Sequence, residues 1–402
     1  MNMPHKKIMY LCAARNFLSS NPGRKIFSVV GAWKKSGYQV DHYCGGDFTT
    51  LKYAHDTQAR ETRAHRRRNN KNALILFILN SLSELKDILH DAKMFLALRQ
   101  TTQVPDLIWE RSSRLHSVGL KLAKKFGRPY VLEWKDHLIP YRFSLFISWA
   151  KRIERRKLNE ADYIIVESHV LREYLIQQYE VASSKIIVAH NAVDMTVFKS
   201  DYSRAQCRER YGLSQTKLIV GYLGSYAFYH QCALMVAVAQ QLQNDDIEIL
   251  MVGNGRDYQQ VRALAEQSQL IGRSMRFMSR VDKDRVPEIL ASIDIAVLPG
   301  STDIICPIKI QEYMAMGLAT IAPDYACNRE IIDDGVNALL FEPGNADQLS
   351  HKIRLLRDAR LRQELGLAAQ QHMMDNFSWE KTWVRALNSV LQGSDGIHHV
   401  KD

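Results

Sequence analysis

The 402-residue chain lacks the marks of several protein classes. Its six cysteines, at 12, 44, 207, 232, 306 and 327, show no C-x-x-C or other metal-ligand spacing. This argues against a zinc module and against a disulfide framework, and it suits a reducing compartment. No apolar run approaches the roughly 18 residues of a membrane span. A Lys6-Lys7 pair precedes IMYLCAA, but the apolar part is too short for a secretory signal and Arg15 follows at once, so it reads as a first strand. A cytoplasmic location is expected. The first loop has one glycine, Gly23, where a dinucleotide fingerprint needs three, which argues against a nicotinamide site there.

What is present is a long, mixed composition. Hydrophobic residues make up 46% and charged residues 24%, values of a globular protein, and 402 residues suit two domains better than one core. The net charge of +11 is unevenly placed: residues 1–195 carry +14 and the rest −3. That asymmetry points to a basic surface on the first half. ARETRAHRRRNNKN carries Arg60, Arg63, Arg66, Arg67, Arg68 and Lys71, and apolar residues at helical spacing follow from Leu74 to Leu98. A basic cluster beside an amphipathic helix suits an anionic membrane surface or nucleic acid. The helix either seats in that interface or completes the core.

Strand–helix alternation recurs along the chain. KKIMYLCAA, IFSVVGAWKKSGY and QVDHYCGGD read as strand, helix, and second strand with its loop, the unit of an open parallel sheet. Ligands in such sheets bind beyond the carboxyl ends of the strands. Glu110-Arg111 and Glu133 fall at such ends in PDLIWER and PYVLEWKD, with Asp136 just beyond, and are candidates for an acceptor or cleft site. Ser168 is placed to cap the helix after YIIV.

In the second half the stretch CPIKIQEYMAMG, residues 306–317, concentrates the chemistry. Cys306-Pro307 resists helix, a helical pattern rich in good helix formers follows, and Gly317 ends it. Lys309 and Glu312 stand three apart on one side of the first turns. First-turn amides and Lys309 suit phosphate oxygens, and Glu312 can accept from a ribose diol. The plainer alternative is a solvated Lys/Glu pair. Gly253-x-Gly255 follows the strand IEILMV and permits close backbone approach. Asp282-Lys283-Asp284 spells a metal-binding D-x-D, yet it precedes Val286-Pro287-Glu288 and reads as a helix cap, so no metal site is assigned.

The run PIKIQEYMAMGLATIAPD…REIIDDGVNALLFEPGNADQL resembles the donor-site signature of glycosyltransferase family 4, the glycosyl transferases group 1. KIIVAHNAVDMTVF resembles that family's crossover between domains, and PDLIWER…YVLE resembles one branch of it. Motif agreement covers about residues 105–390. The resemblance implies an α/β, GT-B fold, two Rossmann-like domains with parallel sheets facing across a cleft. The expected division is 1–195 for acceptor binding, 196–375 for the nucleotide sugar, and 376–402 as a terminal helix returning to the first domain, with a tail. It implies retaining transfer of a sugar from a nucleotide diphosphate donor to a membrane- or lipid-linked glycan in surface-polysaccharide assembly. No cofactor or metal is implied. Lys309, His230 and Glu312 become the expected catalytic residues. Gly224, Ser225, Gly253, Gly255, Arg280, Val281, Pro307 and Ile308 become the donor-binding ones, with Arg280-Val281 facing the base.

The chain departs from the family in three places. Lys135-Asp136 stands where relatives have His-Asp, Ser225 and His230 where they have Arg and Lys, and Ile304 where they have Glu, with Asp303 one residue off. A nucleotide-sugar epimerase of the same fold and a non-catalytic nucleic-acid binder are the alternatives. Expected partners are the nucleotide sugar, a glycan or lipid-linked acceptor and an anionic membrane, peripheral at the inner face, and not nucleic acid.

Overall fold

The computed structural model describes residues 6–13, 21–44, 73–135, 143–199 and 201–398. The chain forms two compact units. One comprises residues up to Glu167, Leu171–Ala189 and Trp383 onward, and the other Ser168–Val170 with His190–Thr382. Arg60, Arg63, Arg66, Arg67, Arg68, Lys71 and Asp136 lie outside the described residues.

The first unit is built on six parallel strands: β1 (Lys7–Cys12), β2 (Gln39–Cys44), β3 (Leu107–Arg111), β4 (Tyr130–Glu133), β5 (Tyr163–Val166) and β6 (Ile186–Val188). Their order is β2-β1-β3-β4-β5-β6. The apolar runs read from the sequence are these strands. Ile8, Met9, Tyr10 and Leu11 are all buried, as residues covered on both faces of a parallel sheet must be. Trp33 on the helix Asn21–Lys35 anchors one face: its ring meets Trp109 at 4.7 Å, and its indole N–H donates to the carbonyl of Trp383 at 3.0 Å. The terminal helix Arg385–His398 is in this unit.

The helix Ala73–Leu98 buries Glu84, Asp91, Met94 and Leu98, while Leu74, Ile78, Leu82 and Leu89 are exposed. Asp91 is buried because it caps another helix. Its carboxylate accepts from the amides of Ser117 and Val118, each at 2.9 Å, and from Lys121 Nζ at 2.6 Å, at the start of Val118–Phe126. Among the described residues no helix is long and apolar enough to cross a membrane.

The second unit repeats the plan with β7 (Leu218–Leu223), β8 (Ile247–Val252), β9 (Met275–Met278), β10 (Ile295–Val297), β11 (Ala319–Pro323) and β12 (Leu339–Phe341). The order β12-β11-β10-β7-β8-β9 reverses direction between β10 and β7. That reversal opens a crevice beyond the carboxyl ends of β7 and β10, the place where open α/β sheets bind ligands.

One helix start is joined by a distant carboxylate, and one expected helix cap differs. Ahead of the helix His169–Tyr179, the Ser168 hydroxyl donates to the carbonyl of Ile304. The amides of His169 and Val170 go to Glu330, a carboxylate distant in sequence, at 2.9 and 3.2 Å. Asp282 makes no side-chain cap, because the chain turns there through a short 3₁₀ segment, Lys283–Arg285, and it is the Asp282 carbonyl that accepts from Arg285 N at 3.0 Å.

Candidate active site

The crevice between β7 and β10 is shaped by glycines. Gly224 follows β7, and its amide donates to the carbonyl of Val252 at 3.0 Å. A Cβ at Gly224 would lie 2.2 Å from Lys309 Cε and 2.8 Å from the Tyr222 hydroxyl. Gly253 follows β8 at φ +132°, and a Cβ there would meet the Gly224 carbonyl oxygen at 1.9 Å. Only glycine permits this approach of the two loops. Tyr222 and Tyr313 hold the β7 end from beneath. The Tyr222 hydroxyl donates to the Ser225 carbonyl at 2.6 Å, and the Tyr313 hydroxyl donates to the Leu223 carbonyl at 3.0 Å.

The helix Ile308–Ala315 begins beside this crevice, with Pro307 in extended conformation as its N-cap and Gly317 at φ +68° beyond its end. Its first amides, on Ile308 and Lys309, have no intrahelical acceptor. Lys309 Nζ donates to His230 Nε2 at 2.9 Å, and His230 Nδ1 donates to the Gly300 carbonyl at 3.1 Å. A carbonyl can only accept, so the ring proton sits on Nδ1 and Nε2 is left for the lysine. Burial, reinforced by the Lys309 charge, holds His230 down at about 3, so the imidazole is neutral. Burial also lowers the Lys309 pKa, and the Glu312 carboxylate opposes the shift. A half-buried lysine is thus fixed on a neutral imidazole that is itself fixed on β10's extension. Lys309, His230, Gly224 and Gly253 come together as one group.

The other expected donor residues are placed as follows. Ser225 and Gly255 are exposed on the loops after β7 and β8, Glu312 is half-buried one turn along the helix from Lys309, and Arg280 is exposed after β9. Val281 packs against the core of the unit. Ile304 is buried, with its carbonyl engaged by Ser168, and Asp303 is exposed. The sequence reading missed Tyr222, Tyr313 and the Gly300 carbonyl. The run YLGSYAFYH and the Tyr in QEYMA were the signals for the two phenols, while a backbone acceptor leaves none.

In the first unit the expected acceptor residues divide. Successive residues of a strand face opposite sides, and Glu110 and Arg111 do so. Glu110 is wholly buried and accepts from Tyr130 Oη at 2.9 Å and Leu120 N at 3.3 Å, with Lys157 Nζ at 3.5 Å. Burial raises its pKa, against the pull of Lys157. Arg111 pairs with Glu133, which also accepts from Tyr10 Oη at 2.9 Å and Trp109 Nε1 at 3.2 Å. Burial would lower the arginine's pKa, but the Glu133 carboxylate outweighs it and the net direction is upward. A second buried pair, Lys25–Glu167, was not foreseen; its ammonium lies 4.2 Å from the Trp383 ring centre. Glu167 directly follows β5, so the strand-end rule that selected Glu133 also points to it.

Comparison with known proteins matches this layout. Residues 23–197 match the profile "Glycosyltransferase Family 4", and residues 203–372 match "Glycosyl transferases group 1". The chain is a member of glycosyltransferase family 4. Its two Rossmann-like units are those of the GT-B fold. Sucrose-phosphate synthase from Thermosynechococcus elongatus superposes with a TM-score of 0.74 at 18% identity, covering 96% of this chain and 98% of that one. Anabaena HepE in complex with UDP-glucose superposes at 0.71 and 16% identity, covering 97% and 100%. In sequence, sulfoquinovosyl transferase SQD2 of Arabidopsis thaliana is 24% identical over 294 residues, 71% of this chain but 56% of the relative's length. The chain thus spans little more than half of that curated relative.

Proposed function

We propose that this family 4 member transfers a sugar, with retention, from a nucleotide diphosphate donor to a glycan or lipid-linked acceptor in cell-surface polysaccharide synthesis. The observation that carries the donor half is the Lys309–His230–Gly300 chain at the β7/β10 switch point. Breaking the glycosidic bond places new negative charge on the departing diphosphate. Lys309 and the amides of Ile308 and Lys309 are aimed to receive it in a half-buried crevice, where a fixed charge acts more strongly than in water. His230 is neutral and holds the lysine in place. Glu312 accepts from the ribose, Gly224 and Gly253 let the two loops and Lys309 close together beside the diphosphate, Ser225 and Gly255 border it, and Arg280-Val281 face the base. With a lysine and amides receiving the charge, the reaction needs no divalent metal.

The first unit takes the acceptor, with Arg111 and Glu133 at its strand ends. Docking on an anionic membrane at the inner face is supported by two features: the charge segregated into residues 1–195, and the apolar surface of the helix Ala73–Leu98. Phe143 and Leu145 extend that surface, both exposed and tied to the helix through Asn80 and Ser81 at 3.2 and 3.0 Å.

UDP and UDP-glucose occupy the HepE structures, so UDP-sugars are the first donors to test. Screening UDP-, GDP- and ADP-sugars for a rise in melting temperature checks the donor class. A rise of several degrees with one of them, absent in Lys309→Ala, is expected. No shift with any nucleotide sugar would remove the donor reading.

A further inference from the structure

A group of metal-ligating side chains in the second unit is not used by the donor site. His169, His190 and Glu330 each offer one ligand atom, and these atoms lie within 4.8 Å of one another. The carboxylate is held in orientation by the amides of His169 and Val170 at 2.9 and 3.2 Å. Such outer contacts are what fix the first ligands of built metal sites. The His190 ring is held edge-on against Phe377, with ring centres 5.7 Å apart.

The two imidazoles have the spacing of a shared ion. Their ring centres stand 5.7 Å apart. In a tetrahedral zinc site with Zn–N near 2.0–2.1 Å, two coordinating rings have centres roughly 5–6 Å apart. His190 Nε2 is 2.7 Å from Glu330 Oε2, and the nitrogen–oxygen pair of such a site is about 3.3 Å apart, so admitting an ion requires a parting of about 0.6 Å. His169 is exposed, which leaves the remaining coordination position open to water.

We propose that His169, His190 and Glu330 bind one zinc-class divalent ion, a donor set of two imidazoles and a carboxylate that suits zinc, cobalt or nickel and not magnesium. The ion replaces the His190–Glu330 hydrogen bond with a three-way clamp. Its effect reaches the donor helix through Asn191, the next residue. Asn191 Nδ2 donates to the Cys306 carbonyl at 3.3 Å, and Gln311 Nε2 on the helix donates to the Asn191 carbonyl at 2.6 Å. The clamp stiffens the seat of that helix and takes no part in sugar transfer.

The test is calorimetric titration of the chelator-stripped full chain with ZnCl₂, and of the same protein with CoCl₂ followed by visible absorption. One ion per chain is expected, with the intense visible bands of four-coordinate cobalt and a zinc-dependent rise in melting temperature. His169→Ala changes an exposed side chain and keeps the fold; it should weaken zinc binding at least 10-fold and abolish the cobalt bands. His190→Ala and Glu330→Gln should do the same where they fold, and His351→Ala, an exposed histidine elsewhere in the unit, should not. Equal zinc affinity in wild type and His169→Ala, or cobalt bands that survive that change, overturns the proposal.

Discussion

Gly224→Ala isolates the geometry of the candidate site without removing any charged group. The added methyl would sit 2.2 Å from Lys309 Cε and 3.1 Å from its Cδ, well inside van der Waals contact. Gly224 has no positive-φ requirement, so the backbone can accept alanine, and the clash falls first on the far end of the Lys309 side chain and then on the Tyr222 hydroxyl, 2.8 Å from the added methyl. Swinging away, Lys309 gives up its 2.9 Å bond to His230 and its aim at the crevice. A hydrogen bond to a charged group contributes about 1.5–3 kcal/mol, which corresponds to a loss of roughly 10- to 150-fold in kcat/KM. Nucleotide diphosphate release in the presence of donor and acceptor measures this, with circular dichroism and a melting curve as controls for folding. A folded Gly224→Ala protein with wild-type kcat/KM would refute the contact between this loop and a working Lys309.

The remaining predictions use other parts of the molecule. His230 binds its proton less tightly folded, at about 3, than unfolded, near the ordinary 6.5, so the unfolded chain takes up more protons between those values and stability falls as pH drops below about 6.5. From pH 7 to pH 5 this contributes a loss of about 2 kcal/mol, and urea unfolding of His230→Asn, which lacks the titrating group, should show a correspondingly shallower pH dependence; identical profiles contradict the buried neutral imidazole. Turnover should persist in EDTA, and recovery only on adding Mg²⁺ or Mn²⁺ would return Asp282-Lys283-Asp284 to consideration. Flotation with anionic liposomes should show binding at low salt, partial release at high salt and loss on replacing Arg66, Arg67 and Arg68 with Ser, because screening shortens the reach of charge to about 8 Å at physiological ionic strength. Equal partitioning onto neutral vesicles argues against the basic segment, and salt-sensitive RNA binding without lipid binding favours the nucleic-acid alternative.

Much of the architecture was legible because buried parallel strands leave continuous apolar runs. KIMYLC, LIWER and IEILMV are strands in the structure. The meeting of Lys309 with His230 was half legible: both were singled out, one from its helix and one from its place in a loop, but their direct bond joins residues 79 apart. Long-range capping was not legible. Ser168 satisfies the local rule for a helix start, but nothing local marks Glu330, 161 residues from His169, as the acceptor of the His169 and Val170 amides. Asp91 does the same for the helix at Val118 and is buried for that reason. The helix Ala73–Leu98 shows why periodicity alone misjudges a buried face. Its spacing allows a core face of leucines, but Asp91 and Glu84 must turn inward to meet the helix at Val118 and Ser144, and leucines are left outward. The strand-end rule marked Glu110 and Arg111 alike, although adjacent strand residues cannot share a face.

The central claim is that Lys309, held by His230, receives the charge of a departing nucleotide diphosphate. Single-turnover measurement of nucleotide diphosphate formation, with the donor that shifts the melting temperature, tests it most directly in wild type, Lys309→Ala and Glu312→Ala. The account predicts that both variants stay folded and lose most of the rate, with Lys309→Ala slowed about 10- to 150-fold in the bond-breaking step itself. Wild-type single-turnover rates in both folded variants would contradict it.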